Sequence, residues 1–360
     1  MFANHQRTTV ELGSPFQQPS LDCYDPAAEE GRMRRREFIK AFAGAGVAAS
    51  ATIVHGQQSA APLIGFLSSR SPGESAGVVE AFRQGLRETG FIEGQNLAIA
   101  FRWAEGRYDK LPALASELVN LPVTLLFAAG GPPSAFAAKG ATSTIPVVFS
   151  AVSDPVEIGL VPSLNQPGGN ITGMGIFNAS LGTKRVELMK ELMPNVAVMG
   201  YLLNPADGKG AIERESVLAA SRALGIELRI LNARSETELD STFSGLDGLR
   251  IRALVVSGEP FFDSQRERIV GLAAKYGVAT IYAWREYVLA GGLMSYGTDL
   301  PASYRQAAIY AGRILKGEKP ANLPVVQPTK FNMAVNNKTA KTLGIEVPPR
   351  LLGLADEVIE

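Results

Sequence analysis

One order of strands, turns and helices occurs twice in this sequence, and that repetition constrains the fold more than any other feature. Ile64-Gly65-Phe66-Leu67 is matched by Met199-Gly200-Tyr201-Leu202, and Leu125 to Gly130 followed by Pro132 is matched by Leu254 to Gly258 followed by Pro260. Val147-Val148-Phe149 likewise has a counterpart in Thr280-Ile281-Tyr282. The first two glycine landmarks lie 65 residues apart in one copy (65 to 130) and 58 in the other (200 to 258), a difference that loop lengths absorb. Within each copy, short apolar runs alternate with helical periodicity, the pattern of parallel strands joined by crossover helices. A chain of 360 residues also exceeds what one core usually organises. The expected fold class is therefore α/β: two similar Rossmann-like lobes, each a parallel sheet flanked by helices, joined by a hinge with an interlobe ligand cleft.

The first copy predicts strands at Leu63 to Leu67, Leu97 to Arg102, Leu125 to Ala129, Val147 to Ser150 and Ile171 to Met174. Val78, Ala81, Phe82 and Leu86 fall on one face of a helix that stops near Gly90, and further helices are expected at Leu111 to Asn120 and Pro133 to Lys139. In open parallel sheets, ligands sit beyond the carboxyl ends of the strands, so equivalent loops of the two copies should face one another across the cleft. Those loops are Ser68-Ser69 and Asn204-Pro205, Gly130-Gly131-Pro132 and Gly258-Glu259-Pro260, and Ser150 to Asp154 with Ala283-Trp284-Arg285. Asp154 either pairs with a ligand ammonium or caps a turn before Pro155. Ser68, Ser69 and the amides near Gly130 and Gly131 are candidates for a carboxylate. Asn204 and Glu259 offer polar contacts from the second lobe. Phe261, Tyr282, Trp284 and Tyr296 form either an aromatic wall or core packing. Arg285 grips an anion or pairs with a residue of its own lobe. Pro132 and Pro133 lack an N–H, which argues against a full phosphate cradle.

Upstream the composition changes. Arg34-Arg35-Arg36-Glu37-Phe38-Ile39-Lys40 is followed by fourteen uncharged residues, Ala41 to Val54, and then by small and polar ones. This is the layout of a secretory signal, and the apolar run is shorter than the roughly 20 residues that span a bilayer. Arg35 to Lys40 resembles a twin-arginine export signal. The expected arrangement is a disordered upstream extension over 1–32, a start at Met33, a signal peptide over 33–56, and an exported chain that is not inserted in the membrane. Gly44-Ala45-Gly46-Val47-Ala48-Ala49 fits a dinucleotide-binding pattern but lacks the preceding strand and the βαβ surroundings that pattern needs.

Removal of that leader would also change the available chemistry. His5, Cys23 and His55 all precede position 57, so the exported chain would carry neither histidine nor cysteine. A disulfide, a Cys-bearing zinc site, a Ser-His-Asp triad and a Cys-His pair are then excluded. No cofactor and no metal are expected. Lys and Arg number 35 against 35 Asp and Glu, and six of each sign lie before position 57, so the balance stays neutral. Such a chain has no overall positive field for nucleic acid.

Several separated motifs, in order, resemble one family. Gly131-Pro132-Pro133-Ser134, Ser153-Asp154-Pro155-Val156, Leu164-Asn165-Gln166-Pro167-Gly168-Gly169-Asn170-Ile171-Thr172-Gly173, Gly291-Gly292-Leu293-Met294-Ser295-Tyr296-Gly297 and Gln327-Pro328-Thr329-Lys330-Phe331 are similar to ABC-transporter substrate-binding proteins whose characterised members bind tryptophan and related aromatic amino acids. The resemblance covers nearly the whole exported chain. It implies a two-lobed periplasmic binding protein of the first type, without enzymatic activity, that closes over a small ligand and delivers it to an ABC permease with its ATPase. It also implies that the chain crosses between lobes more than once. Lobe one is accordingly expected to comprise 62–172 plus about 294–323, and lobe two 173–293 plus about 324–360, with Asn165 to Gly173 as a turn and linker. Rival readings are an exported enzyme using carboxylates such as Asp154 and Glu259, a sensor subunit for a membrane receptor, and a sugar-responsive regulator. The last would need a helix-turn-helix before residue 63.

Overall fold

A computed structural model describes residues 61–176, 178–206, 210–328 and 330–360. The upstream extension, Met33, the twin-arginine segment and the glycine-rich run at 44–49 lie outside the described residues. The first half of the described chain folds as β1 (Leu63–Ser68), α1 (Ala76–Glu88), β2 (Ala98–Trp103), α2 (Leu111–Val119), β3 (Leu125–Ala129), α3 (Pro132–Ala141), β4 (Val147–Ser153) and β5 (Ile171–Ile176). There follow α4 (Asn178–Leu192), β6 (Val198–Leu203), α5 (Gly210–Ala223), β7 (Glu227–Asn232), α6 (Glu236–Gly245) and β8 (Ala253–Val256). Next come α7 (Pro260–Ser264), α8 (Arg266–Lys275), β9 (Ala279–Tyr282), α9 (Arg285–Leu289) and β10 (Met294–Thr298). The chain ends with α10 (Leu300–Leu315), β11 (Phe331–Asn336), α11 (Asn337–Thr342), α12 (Pro349–Leu354) and β12 (Glu357–Ile359).

Two sheets result, a five-stranded one in the order β2-β1-β3-β4-β5 and a seven-stranded one in the order β12-β11-β10-β9-β8-β6-β7. The strands matched in the sequence occupy equivalent places: β1 lies between β2 and β3, and β6 between β7 and β8, with β4 and β9 next beyond β3 and β8. β3 and β4 are buried at every position because helices cover both faces, whereas the edge strand β2 is only partly buried. The stop at Gly90 has a physical basis, since its φ of +88° lets the chain leave α1 while Gly90 N–H bonds Arg87 O at 2.9 Å. In α10, Asp299 caps the first turn by accepting from Ala302 N–H at 2.9 Å.

The topology corrects three expectations. Met294–Thr298 is not part of lobe one: β10 pairs with β9 in parallel and with β11 in antiparallel fashion, inside the second sheet. Gly291 and Gly292 close the end of α9, with Gly292 N–H donating to Tyr287 O at 2.8 Å. The second sheet is consequently mixed rather than wholly parallel. The first crossing falls after Ile176, because β5 pairs with β4 in the first sheet. Asn165 to Gly173 is therefore not the crossing segment, and Asn170 anchors it within lobe one by donating to Thr142 O and Ile145 O at 3.1 and 2.8 Å. The chain returns to lobe one through α10, which packs on α1 and on β4. Residues 323–326 then lie against β5, with Gly175 N–H donating to Val326 O at 2.9 Å and the Thr172 hydroxyl to Leu323 O at 2.6 Å.

Candidate functional site

Every candidate loop leaves the carboxyl end of a strand. β1 runs into Ser68-Ser69-Arg70, where the Ser69 hydroxyl donates to Gly130 O at 2.7 Å and Ser68 Oγ accepts from Arg70 N–H at 3.1 Å. The Ser69 hydroxyl thus donates within the loop, whereas Ser68 Oγ serves the loop as an acceptor. Gly130 and Gly131 have φ of +84° and +91°, and a Cβ on Gly130 would lie 2.3 Å from Ser69 Oγ, so neither conformation nor space admits a side chain there. Gly131 is the cap residue of α3, with Pro132 and Pro133 in its first turn and Ser134 behind them. In β4 the register shifts between Phe149 and Val152, and Ala151 takes a φ of +60°. That left-handed residue is strained by about 1–2 kcal/mol, a cost that concentrates at sites where backbone must be re-aimed. Asp154, at φ +44°, turns the chain after the strand, and its carbonyl accepts from Ile158 N–H at 3.1 Å.

The loops of the two lobes meet in a polar seam. Arg70 of lobe one forms a buried ion pair with Asp263 of α7, the two residues being 6% and 4% exposed. Burial opposes the Arg70 charge, but Asp263, aided by Tyr304, Glu74 and Glu286, holds the guanidinium above its ordinary value. Asp263 is in turn fixed by Trp284 Nε1–H at 3.1 Å and by the Tyr287 hydroxyl at 3.2 Å. Burial, followed by the nearby Asp263 carboxylate, pushes the Tyr287 phenol well above its usual range, so it stays a donor. The second crossing contact is the Tyr108 hydroxyl of lobe one, which donates to Glu259 Oε2 at 2.6 Å and accepts from Phe261 N–H at 3.1 Å. Glu259 also caps α7, accepting from Phe261 and Phe262 N–H at 3.1 and 2.8 Å, and takes a further bond from Asn204 Nδ2 at 3.2 Å. A carboxylate with so many donors is a structural anion, not a free base for acid–base catalysis.

Among the described residues, the buried hydroxyls of Ser134 in the first turn of α3, Ser150 and Ser153 in β4, and Ser257 after β8 have no hydrogen-bond partner. An unmet buried hydroxyl costs about 1–3 kcal/mol, so a polar partner at any of them would be stabilising. Trp284 and Phe261 are buried in the core cluster beside the seam, the latter packing within 3.4 Å of the place a Gly106 Cβ would occupy. Gly258 connects the Ser257 hydroxyl to the Glu259 cap.

Three expected residues are elsewhere. Tyr282 is core: it is 1% exposed and stacked on Tyr287 with centroids 4.5 Å apart. Arg285 is solvent-exposed and pairs through Nε and Nη2 with Glu357 on the edge strand at 3.1 and 2.7 Å, so its charge is taken within lobe two. Tyr296 lies within β10 and packs against Phe331. Conversely, Arg70, Tyr108 and Asp263 were not among the sequence candidates. Arg70 is one residue beyond the selected Ser68-Ser69, and Asp263 lies within α7, past the loop where the strand-end rule stops. Tyr108 follows β2, a strand without a recognised counterpart in the second copy.

A match to the family described as ABC transporter substrate binding protein extends over residues 72–359. The chain belongs to that family. Among proteins similar to this substrate-binding protein is the tyrosine-binding protein of Clostridioides difficile, 28% identical over 267 residues, covering 74% of this chain and 76% of the relative. A Streptococcus pneumoniae ABC domain solved in complex with L-Trp superposes with a TM-score of 0.76 at 27% identity, covering 83% of this chain and 99% of that one. The ligand-free, open structure of a Clostridium difficile substrate-binding protein with adhesive properties, at 26% identity and the same coverage, gives 0.60.

Proposed function

We propose that the protein is the exported solute receptor of an ABC importer and that it captures an aromatic amino acid between its lobes without chemical conversion. The observation that carries this reading is the seam: Arg70 and Tyr108 of lobe one meet the Asp263 and Glu259 carboxylates of lobe two there. The tyrosine named for one relative and the L-Trp held by another support an aromatic ligand. Trp284 and Phe261 supply ring surface beside the charges. Closure would be selected by a ligand that binds the closed form better, and no covalent step is required. The partners in this reading are an ABC permease and its ATPase, and the setting is the periplasm, reached through the twin-arginine signal.

Calorimetry with the common amino acids and with neutral sugars tests the ligand class. One or a few aromatic amino acids should bind at one site per chain and be recovered unchanged by mass spectrometry. Sugar binding with no amino-acid binding would overturn the proposal. Replacing Arg35 and Arg36 with lysine should retain the protein in the cytoplasm, and unaltered export would remove the twin-arginine route.

A further inference from the structure

Resting on that reading of the seam, we propose that Arg70 and Asp263 are the specificity pair that reads a ligand's α-carboxylate and α-ammonium, the zwitterion taking up the two charges that here satisfy each other. Among the described residues, Arg70 and Asp263 are a buried pair of opposite charges contributed by different lobes. Arg70 engages Asp263 through Nη2 alone, while its Nε–H is buried without a partner. Nε–H and Nη2–H form the side-on fork of a guanidinium, which a carboxylate occupies with two parallel bonds. A ligand carboxylate that filled both positions would satisfy more of Arg70 than Asp263 does. Asp263 meanwhile keeps the Trp284 and Tyr287 donors of its own lobe and so remains a fixed anion for an ammonium. A latch would need only that the two charges touch; the unused fork edge on Arg70 and the independent anchoring of Asp263 are features of a reader.

The test is calorimetry on the full chain with L-tyrosine and L-tryptophan, their amines (tyramine, tryptamine) and their deaminated acids (3-(4-hydroxyphenyl)propionate, indole-3-propionate). The unaltered protein should prefer an amino acid over both one-charge analogues by at least about 100-fold, as expected when a buried polar group loses its partner. In Arg70→Met the amino acid should fall to the level of the amine, whose own affinity changes less than about threefold, and Asp263→Asn should do the same toward the acid. Thermal midpoints identify a variant that fails to fold; Arg70→Lys then serves, keeping the charge without the fork and losing most of the preference for the carboxylate. Equal weakening of amino acid, amine and acid in each variant would overturn the pair as a reader and leave it a latch, with the receptor reading intact. If the unaltered protein binds neither amino acid, the ligand class fails and the reader with it.

Discussion

Tyr108→Phe isolates the seam from the lobes it joins. The substitution removes one hydroxyl that donates to Glu259 Oε2 at 2.6 Å and accepts from Phe261 N–H at 3.1 Å. Lobe two keeps its own arrangement, because Glu259 still accepts from Phe261 N–H, Phe262 N–H and Asn204 Nδ2. What disappears is a charge-assisted bond that exists only when the lobes are together, worth about 1.5–3 kcal/mol. That corresponds to a shift of about 10- to 150-fold in the open-to-closed ratio. If closure and binding are linked, apparent ligand affinity weakens by up to the same factor once the closed form is no longer dominant. Small-angle scattering and an interlobe fluorescence distance would report the opening, and calorimetry with L-tryptophan or L-tyrosine the affinity. An unchanged interlobe distance together with a large fall in the unfolding midpoint would refute the reasoning, since the hydroxyl would then be supporting a lobe rather than the seam.

Gly130→Ala should destabilise the protein by more than about 1–2 kcal/mol in denaturant unfolding, since φ is +84° and the new Cβ would lie 2.3 Å from Ser69 Oγ; Gly140→Ala, where nothing lies within 4 Å in α3, should instead stabilise by about 0.5–1 kcal/mol. Burial raises the Glu74 carboxyl from an ordinary 4.5 to about 7, against the pull of Ser71 N–H, Arg70 and Arg266, with Asp263 adding to the rise. A carboxyl whose folded value is raised contributes stability that is fully present below about 4.5 and is lost as pH rises through about 7, so the unfolding midpoint should fall across that window and Glu74→Gln should remove that part of the pH dependence.

The repeat was readable because buried parallel strands need unbroken apolar runs, and Leu125–Ala129 is such a run with matching ends in sequence and structure. Equivalent loops could then be named from strand ends alone, which placed Gly130, Glu259 and Trp284 at the seam. The same rule failed at Tyr282, Arg285 and Tyr296 because residue type does not say which face of an element points to the neighbouring lobe. Tyr282 turns into the core beneath Tyr287, and Arg285 finds Glu357 72 residues away. The crossings were displaced for a related reason. The resemblance implies repeated crossings without fixing where they fall, and β10 is decided by its pairing with β9 and β11, which sequence spacing does not reveal. Arg70 and Asp263 are 193 residues apart and become partners only through lobe closure.

The composition of the seam bears on whether it can open. Had the facing loops been apolar, separating them would expose surface at about 25 cal/mol per Å² with nothing to offset it. Here lobe one presents donors, Arg70 and Tyr108, and lobe two presents the carboxylates of Asp263 and Glu259. Separated, each group is hydrated, and the desolvation that made the buried pair costly is recovered, so the net difference between the two arrangements is far smaller than the bond strengths suggest. Glu259 and Asp263 also retain their own-lobe donors when the other lobe departs. The polar contacts of the seam therefore add little net to closure, the apolar packing of Phe261 and Trp284 favours it, and a ligand shifts the balance by its differential affinity for the closed form.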